Sequence, residues 1–62
     1  MNIKINDIVR YKESKDYISL GIVFKISKNT IFIKKIKEGI VTNIKKAIWV
    51  ENIVKVMKQK NV

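Results

Sequence analysis

Two polar breaks, Lys28-Asn29 and Glu38-Gly39, interrupt a chain otherwise built from alternating β-branched and aromatic residues, and they leave it little to fold into except antiparallel hairpins. Isoleucine alone fills 13 of 62 positions, with Val, Phe, Tyr and Thr beside it, and such side chains suit a pleated, half-buried surface better than a helix. Asn tolerates the left-handed backbone of a tight turn and Gly adopts it freely, so each break reads as a two-residue reversal. The pattern predicts strands over residues 8–12, 20–27, 30–37, 40–50 and 54–57, with a polar loop at 13–19. An irregularity is expected near Lys46-Ala47, and Glu51-Asn52-Ile53 reads as a single helical turn before the last strand. Val50, Ile53, Val54 and Met57 also fall at helical spacing, which leaves a C-terminal helix over 47–60 as the alternative. The alternation of Ile48 with Val50, and of Val54 with Val56, favours the strand.

Composition then narrows the chemistry. Fourteen Lys and Arg against five Asp and Glu give a formal net charge of +9, and the chain has no His, Cys or Pro. That excludes imidazole acid–base catalysis, thiol nucleophiles, Cys/His zinc sites and disulfides. A chain of this length buries only about 60% of the surface that it exposes when unfolded, so residues 1–62 read as a single domain with no room for a deep cleft. The acids Asp7, Glu13, Asp16, Glu38 and Glu51 are scattered among turns and strand ends, and no hydroxyl has an imidazole partner. No catalytic residue, metal or cofactor is expected. No run approaches the roughly 18 apolar residues of a membrane helix, and the first residues lack the apolar block of a signal peptide. The expected setting is therefore cytoplasmic, without a membrane partner.

Three segments carry a resemblance. Asn6-Asp7-Ile8-Val9-Arg10-Tyr11, Gly21-Ile22-Val23 and Trp49-Val50-Glu51-Asn52-Ile53-Val54-Lys55-Val56 are together similar to the SH3-like small barrels of bacteria and their phages, including those of KOW type. In many of those domains a Gly-Asp-x-Val opening precedes a Gly-x-Val strand, and the chain closes with an aromatic, a short helical turn and a last strand. Asn6 stands here where that pattern has Gly. The resemblance implies an all-β, five-stranded antiparallel SH3-like barrel. For many relatives it also implies contact with nucleic acid or with ribosomal and transcription machinery, and it implies no particular activity.

The two turns set a register, and the register assigns faces. A two-residue Glu38-Gly39 turn pairs Lys37 with Ile40, Ile33 with Ile44 and Phe32 with Lys45. A two-residue Lys28-Asn29 turn pairs Ile26 with Ile31, Lys25 with Phe32 and Phe24 with Ile33. Ile22, Phe24, Ile26, Ile31, Ile33 and Ile44 then form the core side. Val23, Lys25, Ser27, Thr30, Phe32, Lys34, Asn43 and Lys45 form the outer side. Trp49 is expected to close the core and Tyr11 to be half-buried, with Tyr17 free in its loop to make contacts. Phe32 is expected among the ammonium groups of Lys25, Lys34 and Lys45. Lys35, Lys37 and Lys46 are expected at the barrel rim, extending the positive field. Arg10 either holds a phosphate or pairs with Glu13 or Asp16.

Neighbouring like charges repel, and a polyanion relieves the repulsion. Lys neutralises phosphates without reading base identity, while an exposed ring can stack on a base. The expectation is a largely sequence-nonspecific nucleic-acid-binding module, for DNA or RNA, using Lys25, Phe32, Lys34, Lys45, Lys35, Lys37, Lys46, Arg10 and Tyr17. The alternatives are a phage or mobile-element interaction module that binds an acidic host protein, and a structural accessory subunit of a larger complex.

Overall fold

In the computed structural model, which describes residues 2–58, both polar breaks become two-residue turns between antiparallel strands. The strands are β1 (Ile8–Ser14), β2 (Tyr17–Ser27), β3 (Thr30–Lys37), β4 (Ile40–Trp49) and β5 (Ile53–Met57), with a 3-10 turn at Val50–Asn52. They form one sheet in the order β4-β3-β2-β1-β5, which is the expected all-β, five-stranded antiparallel arrangement. The helical alternative over 47–60 is overturned, although residues 59 and 60 lie outside the described ones. Residues 47–49 complete β4, and β5 pairs with β1, giving that strand a second hydrogen-bonded neighbour and burying Ile53. Among the described residues no helix is long and apolar enough to cross a membrane.

Glu38 (φ 52°) and Gly39 (φ 77°) are both left-handed, as a primed hairpin turn requires. The Lys28-Asn29 turn contains no left-handed residue. Instead, the Asn29 carbonyl accepts the Val50 amide at 2.9 Å, which ties the 3-10 turn to this hairpin. The loop expected over 13–19 shrinks to Lys15-Asp16, because β1 and β2 both continue to a Ser14–Tyr17 pair.

The larger correction concerns the faces. From the Lys28-Asn29 turn the pairs Ser27–Thr30, Ile26–Ile31 and Lys25–Phe32 run as expected, but the next pair is Val23–Ile33. Phe24 is the extra residue of a β-bulge, and everything N-terminal to it on β2 changes sides. Val23, expected outside, is fully buried, whereas Phe24 and Ile22 are on the outer face. Ile26 and Ile44, also expected inside, are 43% and 44% exposed. The core is Val9, Tyr11, Val23, Ile31, Ile33, Ile48 and Ile53, with Tyr11 fully rather than half buried. Space agrees with this phase: the inward position beside Ile33 has no room for a side chain and is taken by Gly21, with Val23 completing the core.

On β4 the irregularity lies at 42–44 rather than near Lys46-Ala47. Ile36 pairs with Val41 and Lys34 with Lys45, so β4 carries two extra residues. The Thr42 hydroxyl holds this kink, donating to the Lys35 carbonyl at 2.8 Å and accepting the Ile44 amide at 3.2 Å. Ile33 and Phe32 therefore face Lys46 and Ala47 instead of Ile44 and Lys45. A shift of two preserves phase, so Ile48 points inward and Trp49 outward. Trp49 is 58% exposed and does not close the core.

The N-terminal segment locks the β2 bulge. Asn6 is left-handed (φ 77°), a conformation that Asn tolerates better than most residues, and its amide donates to the Val23 carbonyl at 2.8 Å. The Val23 amide donates to the Asp7 carbonyl at 2.9 Å. The buried Asp7 carboxylate accepts the Lys58 ammonium at 2.6 Å and the Lys4 amide at 2.8 Å. The Lys58 hydrogen bond, opposed by burial, holds the Asp7 carboxyl below its ordinary range.

Gly21 makes the tight packing possible, since a Cβ there would lie 2.6 Å from Ile33 Cδ1 and 2.9 Å from its Cβ. Gly21→Ala should therefore lower stability by about 1–3 kcal/mol, read as a lower urea midpoint with unchanged slope. An unaltered midpoint would show that Ile33 has room to move.

Candidate nucleic-acid interface

Strand alternation and the observed pairings define the outer face in rows across the sheet. One row holds Trp49, Thr30 and Ser27; the next holds Ala47 and Phe32, with Phe24 and Lys25 both opposite Phe32 at the bulge. A third holds Lys45, Lys34, Ile22, Ile8 and Met57, and a fourth Val41, Ile36, Leu20, Arg10 and Lys55. Lys12 lies beyond, opposite Ile18. Six cations, Arg10, Lys12, Lys25, Lys34, Lys45 and Lys55, thus occupy outer-face strand positions, and none of the five acids does.

The centre of this face is a pair of rings capped by ammonium groups. Phe24 and Phe32 have centroids 6.4 Å apart with planes tilted by 55°. The Lys25 Nζ lies 5.3 Å from the Phe32 centroid, and the Nζ atoms of Lys45 and Lys34 lie 5.6 and 6.0 Å from that of Phe24. Each contact is a weak cation–π interaction, on the order of 0.5–1 kcal/mol at an exposed site. Among the described residues none of these lysines forms an ion pair. Lys25 thus lies over Phe32 as expected, but Lys34 and Lys45, also expected around Phe32, cap a second ring, Phe24.

Lys35 and Lys46 behave differently from the expectation that they extend the positive field. Both lie on the core-facing side and converge on Glu13, with Nζ–carboxylate distances of 2.9 and 2.7 Å. The Ser19 hydroxyl donates to the same carboxylate at 2.5 Å. Three donors around a carboxylate that is only 20% exposed make this a clasp that ties β1 to β3 and β4; both lysines are engaged within the fold, and the cluster keeps one net positive charge. Among the described residues the fully buried Tyr11 hydroxyl next to the clasp has no hydrogen-bond partner, and burial, with the Glu13 charge, pushes its pKa up. Arg10 pairs with neither Glu13 nor Asp16; it is exposed on β1, opposite Lys55. Tyr17, 61% exposed, stands at the start of β2 rather than in a loop. With Lys37 and Lys35 it lines an open groove of about 550 Å³ floored by Ile18, Leu20 and Ile36, at the end of the sheet away from the rings.

Phe24, Trp49, Lys12 and Lys55 were not among the expected contact residues. The run Leu20-Gly21-Ile22-Val23-Phe24 does not alternate, so its phase had to be extrapolated from the turn, and Gly21 within a strand was the available sign of a bulge. Comparison of the chain with protein-family models, curated proteins and solved structures finds no match in any of the three.

Two outcomes follow from the charges. Hydrogen bonds from Lys46, Ser19 and Lys35 lower the Glu13 pKa from 4.5 to about 2. A carboxyl depressed in the folded state stabilises fully above its unfolded value, and the contribution disappears as pH falls through the folded one. The thermal midpoint should therefore drop between pH 4.5 and about 2. Glu13→Gln should lower the neutral-pH midpoint and flatten that drop, leaving the smaller component due to Asp7. Separately, Arg10 and Lys55 are directly opposed like charges, which weaken a sheet. Lys55→Glu should stabilise the free protein by about 0.2–1 kcal/mol, measured by denaturant unfolding at low salt.

Proposed function

We propose that this chain is a small basic nucleic-acid-binding module, largely indifferent to sequence, that docks phosphates on the outer face of its sheet. The observation that carries this reading is the sorting of charge: six cations and no carboxylate occupy that face, around two aromatic rings. Lys34 lies directly opposite Lys45 and Arg10 opposite Lys55, and sheets ordinarily avoid such pairs. Phosphates would relieve both, with counterion release adding to the affinity. Lysine on a flexible stem serves as a point charge, and its contacts to phosphate carry no sequence information. Low sequence discrimination is the consequence.

The test is a titration of labelled nucleic acid, with duplex DNA, single-stranded DNA and RNA each measured at two salt concentrations. Binding at low salt should weaken steeply as salt rises, with a log–log slope of about −2.8 for a single strand to about −3.6 for a duplex if about four phosphates are engaged. Lys45→Glu should weaken binding and reduce that slope by about one. Phe32→Ala, checked for folding by circular dichroism, should weaken binding by about 1–3 kcal/mol if a base stacks there. Failure of all three nucleic acids to bind at low salt would reject the reading.

One observation favours a second reading. The same face continues into Ile18, Leu20, Ile36 and Val41, with Ile18 and Val41 46% and 50% exposed, and apolar surface of that kind suits an acidic protein better than a phosphate chain. Such a partner would be held at moderate salt while nucleic acid is released.

A further inference from the structure

We infer that the nucleic acid suited to this face is a single strand, with unstacked bases over Phe24, Phe32 and Trp49 and phosphates over Lys45, Lys34 and the Arg10–Lys55 pair; this rests on the nucleic-acid reading above. The rows of the sheet supply two parallel lanes. Phe24 on β2, Phe32 on β3 and Trp49 on β4 lie in the first two rows, with Trp49 diagonal to Phe32 across the Ala47–Phe32 pair. Ala47 is too small to cover the Phe32 ring. The cations of the third and fourth rows run alongside, from Lys45 and Lys34 on β4 and β3 to Arg10 and Lys55 on β1 and β5. A single strand has the same asymmetry, with bases on one side of its backbone and charge on the other. A duplex turns its base faces inward and carries phosphates on both flanks.

Ring geometry points the same way. The Phe24 and Phe32 centroids are 6.4 Å apart and tilted by 55°, whereas bases stacked along one duplex strand are parallel and step by about 3.4 Å. Successive bases can lie on both rings only after they have separated from each other. A wedge entering a duplex step must project from the surface. Phe24 is only 36% exposed and Phe32 is more buried still, so both rings sit close to the sheet as platforms. In the free protein the ammonium groups of Lys25, Lys34 and Lys45 occupy the positions over these rings. An arriving base displaces them, exchanging a weak cation–π contact for stacking and freeing each ammonium for a phosphate.

Trp49 is the only tryptophan in the chain and reports on the aromatic lane directly. The probes are a mixed-sequence 12-nucleotide DNA strand, the same sequence as RNA, its blunt DNA duplex, and an abasic phosphodiester of equal length, all at one low salt concentration. At least one of the base-bearing single strands should bind about tenfold or more tightly than the duplex and quench Trp49 fluorescence. The abasic chain should bind weakly and leave the fluorescence unchanged. Phe24→Leu should weaken single-strand binding by about fivefold or more without changing abasic binding, while Phe24→Tyr, which keeps a ring, should retain it. Duplex or abasic binding as tight as that of both single strands, or an unquenched Trp49 in their complexes, would overturn the inference and leave the broader nucleic-acid reading standing. Absence of binding by every probe would remove both.

Discussion

The bulge at Phe24 is the constraint on which the rest of this structure depends. It sets the phase of β2 against β3, so that Gly21 and Val23 enter the core and Ile22 and Phe24 leave it. Extra residues in a strand ordinarily leave backbone groups without ladder partners, and an unsatisfied buried group costs about 1–3 kcal/mol. Here Asn6 and Asp7 extend the β1–β2 pairing past Ile8–Ile22 to the carbonyl and amide of Val23, which holds the residue beside the bulge from its other edge. Asp7 in turn holds Lys58, which follows the last strand and also donates to the Asn2 carbonyl at 2.7 Å. A local irregularity is thereby tied to both ends of the described chain.

Charge is distributed by the same logic. Asp7 and Glu13 draw Lys58, Lys35 and Lys46 into three ion pairs that close the fold, while Asp16, Glu38 and Glu51 lie in turns. What remains on the outer sheet face is positive throughout. Opposed pairs such as Lys34–Lys45 and Arg10–Lys55 are unfavourable for the isolated sheet. That local cost is understandable when the face is used for an anion, since the interaction that relieves it is also the one that gives affinity. Stability and the proposed binding therefore pull in opposite directions at these positions.

The aromatic side chains follow from the bulge as well. With uninterrupted alternation the face would present Val23 opposite Lys34 and keep Phe24 inside. The bulge adds a second ring 6.4 Å from the first, and the phase-preserving kink at 42–44 leaves Trp49 on the same side. A platform of rings beside a line of cations is a product of two irregularities acting on otherwise regular hairpins. The apolar strip from Ile18 to Val41 continues the platform toward the groove beside Tyr17, where a protein partner would find more to contact than a phosphate chain would.

Residue type and punctuation by themselves determined the five strands, the two hairpin turns, the helical turn before β5, and the pairing of Lys25 with Phe32. Each of these depends on local propensity or on pairing within a few residues of a turn. Tertiary structure alone decided that Phe24 and Trp49 face outward, that Val23 replaces Ile22 and Phe24 in the core, and that Lys35 and Lys46 turn to Glu13. Those outcomes depend on how much volume the centre can hold and on contacts between distant segments, such as Asp7 with Val23 and Glu13 with Lys46. In the unalternating run Leu20–Phe24 either phase satisfies the hydrophobic pattern, and only packing against Ile33 and the reach of the N-terminal segment distinguish them.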